Sequence, residues 1–102
     1  MRVLSEELKT SLRHLAAARF YLPVAPVESP ELGTVSQLEQ FLHHTEFALA
    51  MEELEGLGEA NDVGPEFWKE LALAAENMGL TEPAVRYRSR MASSPTGTQR
   101  AV

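Results

Sequence analysis

Cysteine is absent from the 102 residues, tryptophan occurs once, and aromatic side chains make up 7% of the chain. Without cysteine there is no thiolate nucleophile, no thiolate metal ligand and no disulfide. Small domains of oxidising compartments often recruit disulfides, so this composition leads us to expect a cytoplasmic protein. No run approaches the roughly 18 consecutive apolar residues of a membrane span. The opening Met1-Arg2-Val3-Leu4-Ser5-Glu6-Glu7 turns acidic where a secretory signal would turn apolar. No membrane association is therefore expected. With so few aromatics, a core has to be assembled from Leu, Ala, Met, Val and four Phe. That palette suits helices better than strands, which favour β-branched and aromatic residues.

What is present describes one folded domain. The apolar fraction of 44% and charged fraction of 24% are those of an ordinary globular chain, and this length supports a single core. The net charge of −6 is unevenly spread. Residues 1–27 hold Arg2, Lys9, Arg13 and Arg19 against Glu6 and Glu7, a net +2. Residues 28–82 hold thirteen Asp or Glu against Lys69 alone, a net −12. Residues 83–102 hold Arg86, Arg88, Arg90 and Arg100, a net +4. A middle this acidic repels phosphates and anionic lipid and would steer a basic partner towards it.

Periodicity predicts an all-α, compact bundle of four to five short helices. Ser5 as N-cap, with Glu6 and Glu7 in the first turn, opens a helix over 5–21 on the stripe Leu8, Leu12, Leu15 and Leu22. Residues 23–33, with three prolines and a glycine, form a long loop, either a plain crossover or a partner contact. Thr34 or Ser36 starts the next helix, where Ser36 and Glu39 fit a capping box. Thr45 reads as a fresh N-cap, dividing the run into helices over 36–43 and 45–60, with one continuous helix as the alternative. Pro65 suits a first helical position, and Gly79 a helix end, for a strongly apolar helix over 65–78. Thr81 and Pro83 introduce a last helix over 82–90, and 92–102 reads as a disordered tail.

The constellations that could carry chemistry are weak. His43, His44 and Glu46 lack the His-Glu-x-x-His spacing that sets two ligands on one helix face, so no metal is expected. Glu55-Gly56-Leu57-Gly58 has neither the spacing nor the lysine of a phosphate loop, and there is no Gly-x-Ser-x-Gly elbow. The carboxylates read as a solvated face rather than an acid–base pair. No catalytic residue and no cofactor is expected. Arg86-Tyr87-Arg88-Ser89-Arg90 resembles a nucleic-acid contact in composition, but beside an acidic body its arginines are better employed on the acidic helices.

Leu42-His43-His44-Thr45-Glu46-Phe47-Ala48-Leu49-Ala50-Met51-Glu52-Glu53-Leu54 resembles a segment of small helical immunity proteins of bacterial toxin systems. The MafI-like immunity family of polymorphic-toxin and contact-dependent-inhibition systems is the one it is nearest to. Phe67-Trp68, followed by Ala74-Ala75-Glu76-Asn77-Met78-Gly79-Leu80, is similar to the helix and stop that come next in such proteins. The resemblance implies a helical bundle that binds and neutralises a cognate toxin, expected here to be a basic, nuclease-type protein. Glu46, Glu52, Glu53, Glu55 and Glu59, with Asp62 and Glu66, are then the candidate partner-binding residues. The alternative is a regulator or adaptor, dimeric through the 65–78 helix, with a minor nucleic-acid contact through Arg86–Arg90.

Overall fold

In a computed structural model that describes residues 5–93, local capping chemistry sets the limits of five helices. Ser5 accepts a hydrogen bond from the Leu8 amide and opens α1, Glu6–Phe20. Thr34, not Ser36, caps α2, Val35–His43: its hydroxyl accepts from the Gln37 amide at 3.2 Å. Helix α3 spans Phe47–Ala60 and α4 spans Pro65–Asn77, with Pro65 in the first turn, where a missing N–H goes unnoticed. Helix α5, Thr81–Ser93, runs further than the 82–90 predicted. Ala92 and Ser93 are therefore helical, and the rest of the predicted disordered tail lies outside the described residues. Among the described residues, no helix is long and apolar enough to cross a membrane.

Two helices stop by the same device, one with the expected residue and one without it. At the end of α4, Gly79 has φ 74°, and the Leu80 amide donates back to the Ala75 carbonyl at 2.8 Å. At the end of α2, Thr45 has φ 54°, and the Glu46 amide donates back to the Phe41 carbonyl at 2.8 Å. Both are Schellman stops, which favour glycine at the left-handed residue. Thr45 thus ends α2 rather than capping α3 as predicted, and no side chain caps the start of α3. A β-branched residue in this conformation is strained by about 1 kcal/mol or more. Thr45→Asn is expected to raise stability by roughly 0.5–1 kcal/mol, read as a higher urea midpoint at unchanged slope. An unchanged midpoint would mean that the threonine's own bonds offset the strain.

Helix α4 is the hub and packs against α1, α3 and α5. It buries Phe67, Trp68, Leu71, Ala72, Ala74 and Ala75, and its alanines let neighbouring backbones come close. Its exposed positions are Glu66, Lys69 and Glu76, so it keeps no apolar face for the dimer contact considered above. On α1 the buried line is Ser11, Leu15 and Ala18, continued by Leu22 just past its end, whereas Leu8 stands 38% exposed. The buried line is one step round the helix from the leucine stripe because Ser11 faces the core. Its hydroxyl accepts from the Asn77 amide group at 2.8 Å, and the same nitrogen donates to the Glu7 carbonyl at 2.6 Å. His14 and Glu70, 2.8 Å apart and partly buried, link α1 to α4 a turn further on.

Candidate protein-binding site

Helical spacing divides the acidic residues of α3 into two lines. Glu52, Glu55 and Glu59, at i, i+3 and i+7, share one line, while Leu49, Glu53 and Gly56 share another. The first faces α5 at Glu55 and Glu59. Arg86 donates to Glu55 through Nε at 2.8 Å and Nη2 at 3.0 Å, and the buried Tyr87 hydroxyl donates to the same carboxylate at 2.9 Å. Arg90 pairs with Glu59, and its guanidinium lies 4.5 Å above the Trp68 ring. Arg88 pairs with Glu76 at 2.7 Å. The three arginines of α5 are thus committed to carboxylates of the same chain, as their acidic surroundings suggested.

This pairing sets the chemistry of Glu55. Burial raises its pKa, but the hydrogen bonds from Arg86 and Tyr87 and the charges of Arg86 and Arg90 outweigh burial, holding the carboxyl below its ordinary value. Burial and the adjacent Glu55 carboxylate push Tyr87 up, so it remains a hydrogen-bond donor. Because the folded pKa of Glu55 is depressed, its contribution to stability is present above the ordinary carboxylate value of about 4.3. That contribution is lost as pH falls through the lower folded value. Unfolding titrations from neutral pH to below pH ~4 are expected to show stability falling with acid, and the slope is expected to flatten in Glu55→Gln. An equal slope in the variant would place the acid sensitivity elsewhere.

The second line lies under the crossover that joins α1 to α2. Val27 and Asn61 bond to each other twice: the Val27 amide donates to the Asn61 side-chain oxygen at 2.8 Å, and the Asn61 amide group donates to the Val27 carbonyl at 3.0 Å. At the other end, the Thr34 amide donates to Glu53 at 2.9 Å. Between these points the Leu32 carbonyl sits so close to Gly56 that a Cβ there would come within 1.5 Å of its oxygen. The Ser29 amide donates to the Gly33 carbonyl at 3.1 Å, tightening the turn. The crossover therefore runs back along α3 as a docked segment.

This docking creates a mixed surface. Eight large apolar side chains stand exposed among the described residues, and five of them, Phe20, Tyr21, Val24, Val27 and Leu32, lie on or next to the crossover. Leu49 is a sixth, on α3 one turn before Glu53. Glu28, Glu31 and Glu52 are exposed on the same elements. Among the described residues, none of these three has a cationic partner. Glu28 accepts from the Val35 amide, and Glu31 from the Ser29 hydroxyl.

The seven predicted partner-binding residues thus fall into separate settings. Glu53 is half-buried and anchors the crossover, and Glu52, a turn before Glu55, is exposed. Glu46 is exposed at the start of α3. Glu55 and Glu59 are turned to α5 and its arginines. Asp62 and Glu66 are exposed around the α3–α4 corner. Asp62 lines a polar cleft of about 280 Å³ with Glu59, Trp68 and Arg90. His43 and His44 are exposed with their rings edge to face. Among the described residues, no three His, Asp or Glu side chains are grouped to hold a metal ion.

The sequence left the 23–33 loop open between a plain crossover and a partner contact, and singled out none of Val27, Glu28, Glu31 and Leu32 within it. The available signal was Gly56 inside a helical pattern, where glycine costs about 1 kcal/mol relative to alanine and so hints at a close backbone approach. No protein family, curated protein or solved structure matches the chain.

Proposed function

We propose that this protein acts by binding another protein, as an immunity protein that neutralises a cognate basic toxin in the cytoplasm where both are made. The contact surface is the docked crossover with the α3 line beneath it and Glu52 beside that line, extended by Glu46 at one end and by Asp62 and Glu66 at the other. One observation carries this reading. The arginines of α5 neutralise Glu55, Glu59 and Glu76, while Glu28, Glu31 and Glu52 have no cationic partner among the described residues and stand beside exposed Val27, Leu32 and Leu49. Unpaired carboxylates speed the encounter with a basic partner and fix its orientation. The few apolar side chains among them supply most of the binding energy once water is excluded. Anchoring by Asn61, Glu53 and the Gly56 contact lowers the ordering cost on association. Commitment of Arg86, Arg88 and Arg90 to the chain's own carboxylates weighs against the nucleic-acid alternative.

The test is purification from native cells at low salt, identification of the stoichiometric partner, and kinetics with the isolated pair. Combined Glu28→Lys, Glu31→Lys and Glu52→Lys is expected to slow association at least tenfold, reduce its salt dependence, and abolish protection of cells expressing the partner. Glu59→Gln, altering an acid already paired within the chain, is expected to change association much less. Recovery of nucleic acid instead of a protein, or full protection by the triple variant, would overturn the reading.

A further inference from the structure

Only His44, Thr45 and Glu46 separate α2 from α3, and nothing in their composition demands a turn. From Thr34 to Glu55 the chain holds neither proline nor glycine, so a helix could run straight through. The turn depends on Thr45, whose φ of 54° is costly for a β-branched side chain. It also leaves the first amides of α3 without a side-chain cap. A helix continued from α2 would give those amides carbonyl partners. The same junction divides the fold into two halves that hold each other. Before it, α1 packs on α4 and α3, and α2 packs on α3. After it come α3, α4 and α5, which supply the other side of each contact.

We infer that this junction is a hinge through which two copies of the chain exchange their first halves, residues 5–43 of each packing on α3, α4 and α5 of the other. Short hinges under strain favour such an exchange. The contacts of the monomer are remade between copies, while the strain at the hinge is relieved. Helical phase requires the second copy. On one helix through residues 35–60, Leu38 and Leu42 point to the side opposite Phe47 and Leu54. An α2 continued in this way turns its apolar face from the core of its own chain, and only the α3 of another copy offers the matching surface. The first half moves as a unit, because Arg19 of α1 pairs with Glu39 of α2 at 3.4 Å and Glu28 of the crossover holds the Val35 amide at 2.8 Å.

The inference does not rest on the proposed toxin contact, and either can fail alone. Its test is refolding of the full chain from urea at ~10 μM and ~1 mM, followed by size-exclusion chromatography at one common dilution. A dimer is expected from the concentrated sample alone, slow to revert because the halves must part first. Thr45→Gly relieves the strain in the monomer and disfavours a helix at the hinge. It is expected to weaken the dimer about a hundredfold, about tenfold at each of two hinges. Thr45→Ala, which keeps a left-handed L-residue and favours the helix, is expected to retain the dimer. A disulfide reads the exchange itself. The chain has no cysteine, and Ser11 of α1 touches Asn77 of α4 at 2.8 Å. Copies carrying Ser11→Cys, refolded with copies carrying Asn77→Cys, are expected to cross-link to each other in the dimer fraction. A monomer at both concentrations, a dimer that Thr45→Gly leaves unchanged, or a dimer without the cross-link would each overturn the inference.

Discussion

Replacing Gly56 with alanine is expected to destabilise the protein by about 2 kcal/mol, although helix propensity taken alone gives the opposite sign. Alanine is favoured over glycine inside a helix by about 1 kcal/mol. Against that gain stands the Leu32 carbonyl, whose oxygen would lie 1.5 Å from the new methyl carbon. Backbone cannot rotate aside as a side-chain tip can, so the crossover has to lift from α3. Overpacking of this kind costs typically 1–3 kcal/mol, and lifting also loosens the Val27–Asn61 and Thr34–Glu53 bonds. Urea unfolding gives the sign, and amide exchange gives the location, since the Val27 and Thr34 amides should exchange faster while those of α4 slow-exchange as before. A stabilised variant would mean that the crossover does not press on Gly56. The same variant is expected to weaken partner binding, because the surface loses its preorganisation with its charges intact.

Trp68→Ala is expected to have the larger effect on stability, a loss of about 3–5 kcal/mol. Trp68 is 2% exposed, and its ring joins α4 to α5. Phe67 stands edge to face with it at 4.9 Å, Tyr87 of α5 stacks at 6.2 Å, and Arg90 covers its face. Truncation leaves a cavity and also removes the aromatic partner of a guanidinium that pairs with Glu59. For a domain of this size, each 1 kcal/mol lowers Tm by about 4–8 °C, so a fall of at least ~12 °C is expected by circular dichroism. Trp68→Phe is expected to recover part of it. A shift of only a few degrees would show that α5 is held mainly by its ion pairs.

The fold class was legible because helix periods and stops agree along most of the chain. Pro65 and Gly79 act as their chemistry dictates, and the apolar excess of α4 correctly marks the central helix. Thr45 was misread because threonine favours an N-cap far more often than a left-handed stop, and here the backbone bonds of the α2 end decide. Ser11 was invisible as a core residue because its partner, Asn77, lies 66 positions away. The division of the acidic face was only half legible. Glu55 and Glu59 are recognisably one line and the arginines were recognisably suited to acids, but which acids they meet depends on how α5 lies across the bundle. Nothing in the prolines of the crossover told that Asn61 and Glu53 would fasten it down.

Helix α2 packs chiefly on α3 and fully buries Leu38 alone, which gives the bundle an uneven energy landscape. The elements around α4 are expected to open only with the whole fold, whereas α2, with one fully buried side chain, is expected to detach at lower free energy while α1, α4 and α5 stay together. Its first turn is joined to the crossover through the Val35 amide held by Glu28, next to the Thr34 amide that Glu53 of α3 holds. Each detachment of α2 therefore releases one end of the proposed contact surface. A bound partner that needs this end in place would hold α2 down, and hydrogen exchange in α2 would slow on complex formation more than in any other helix.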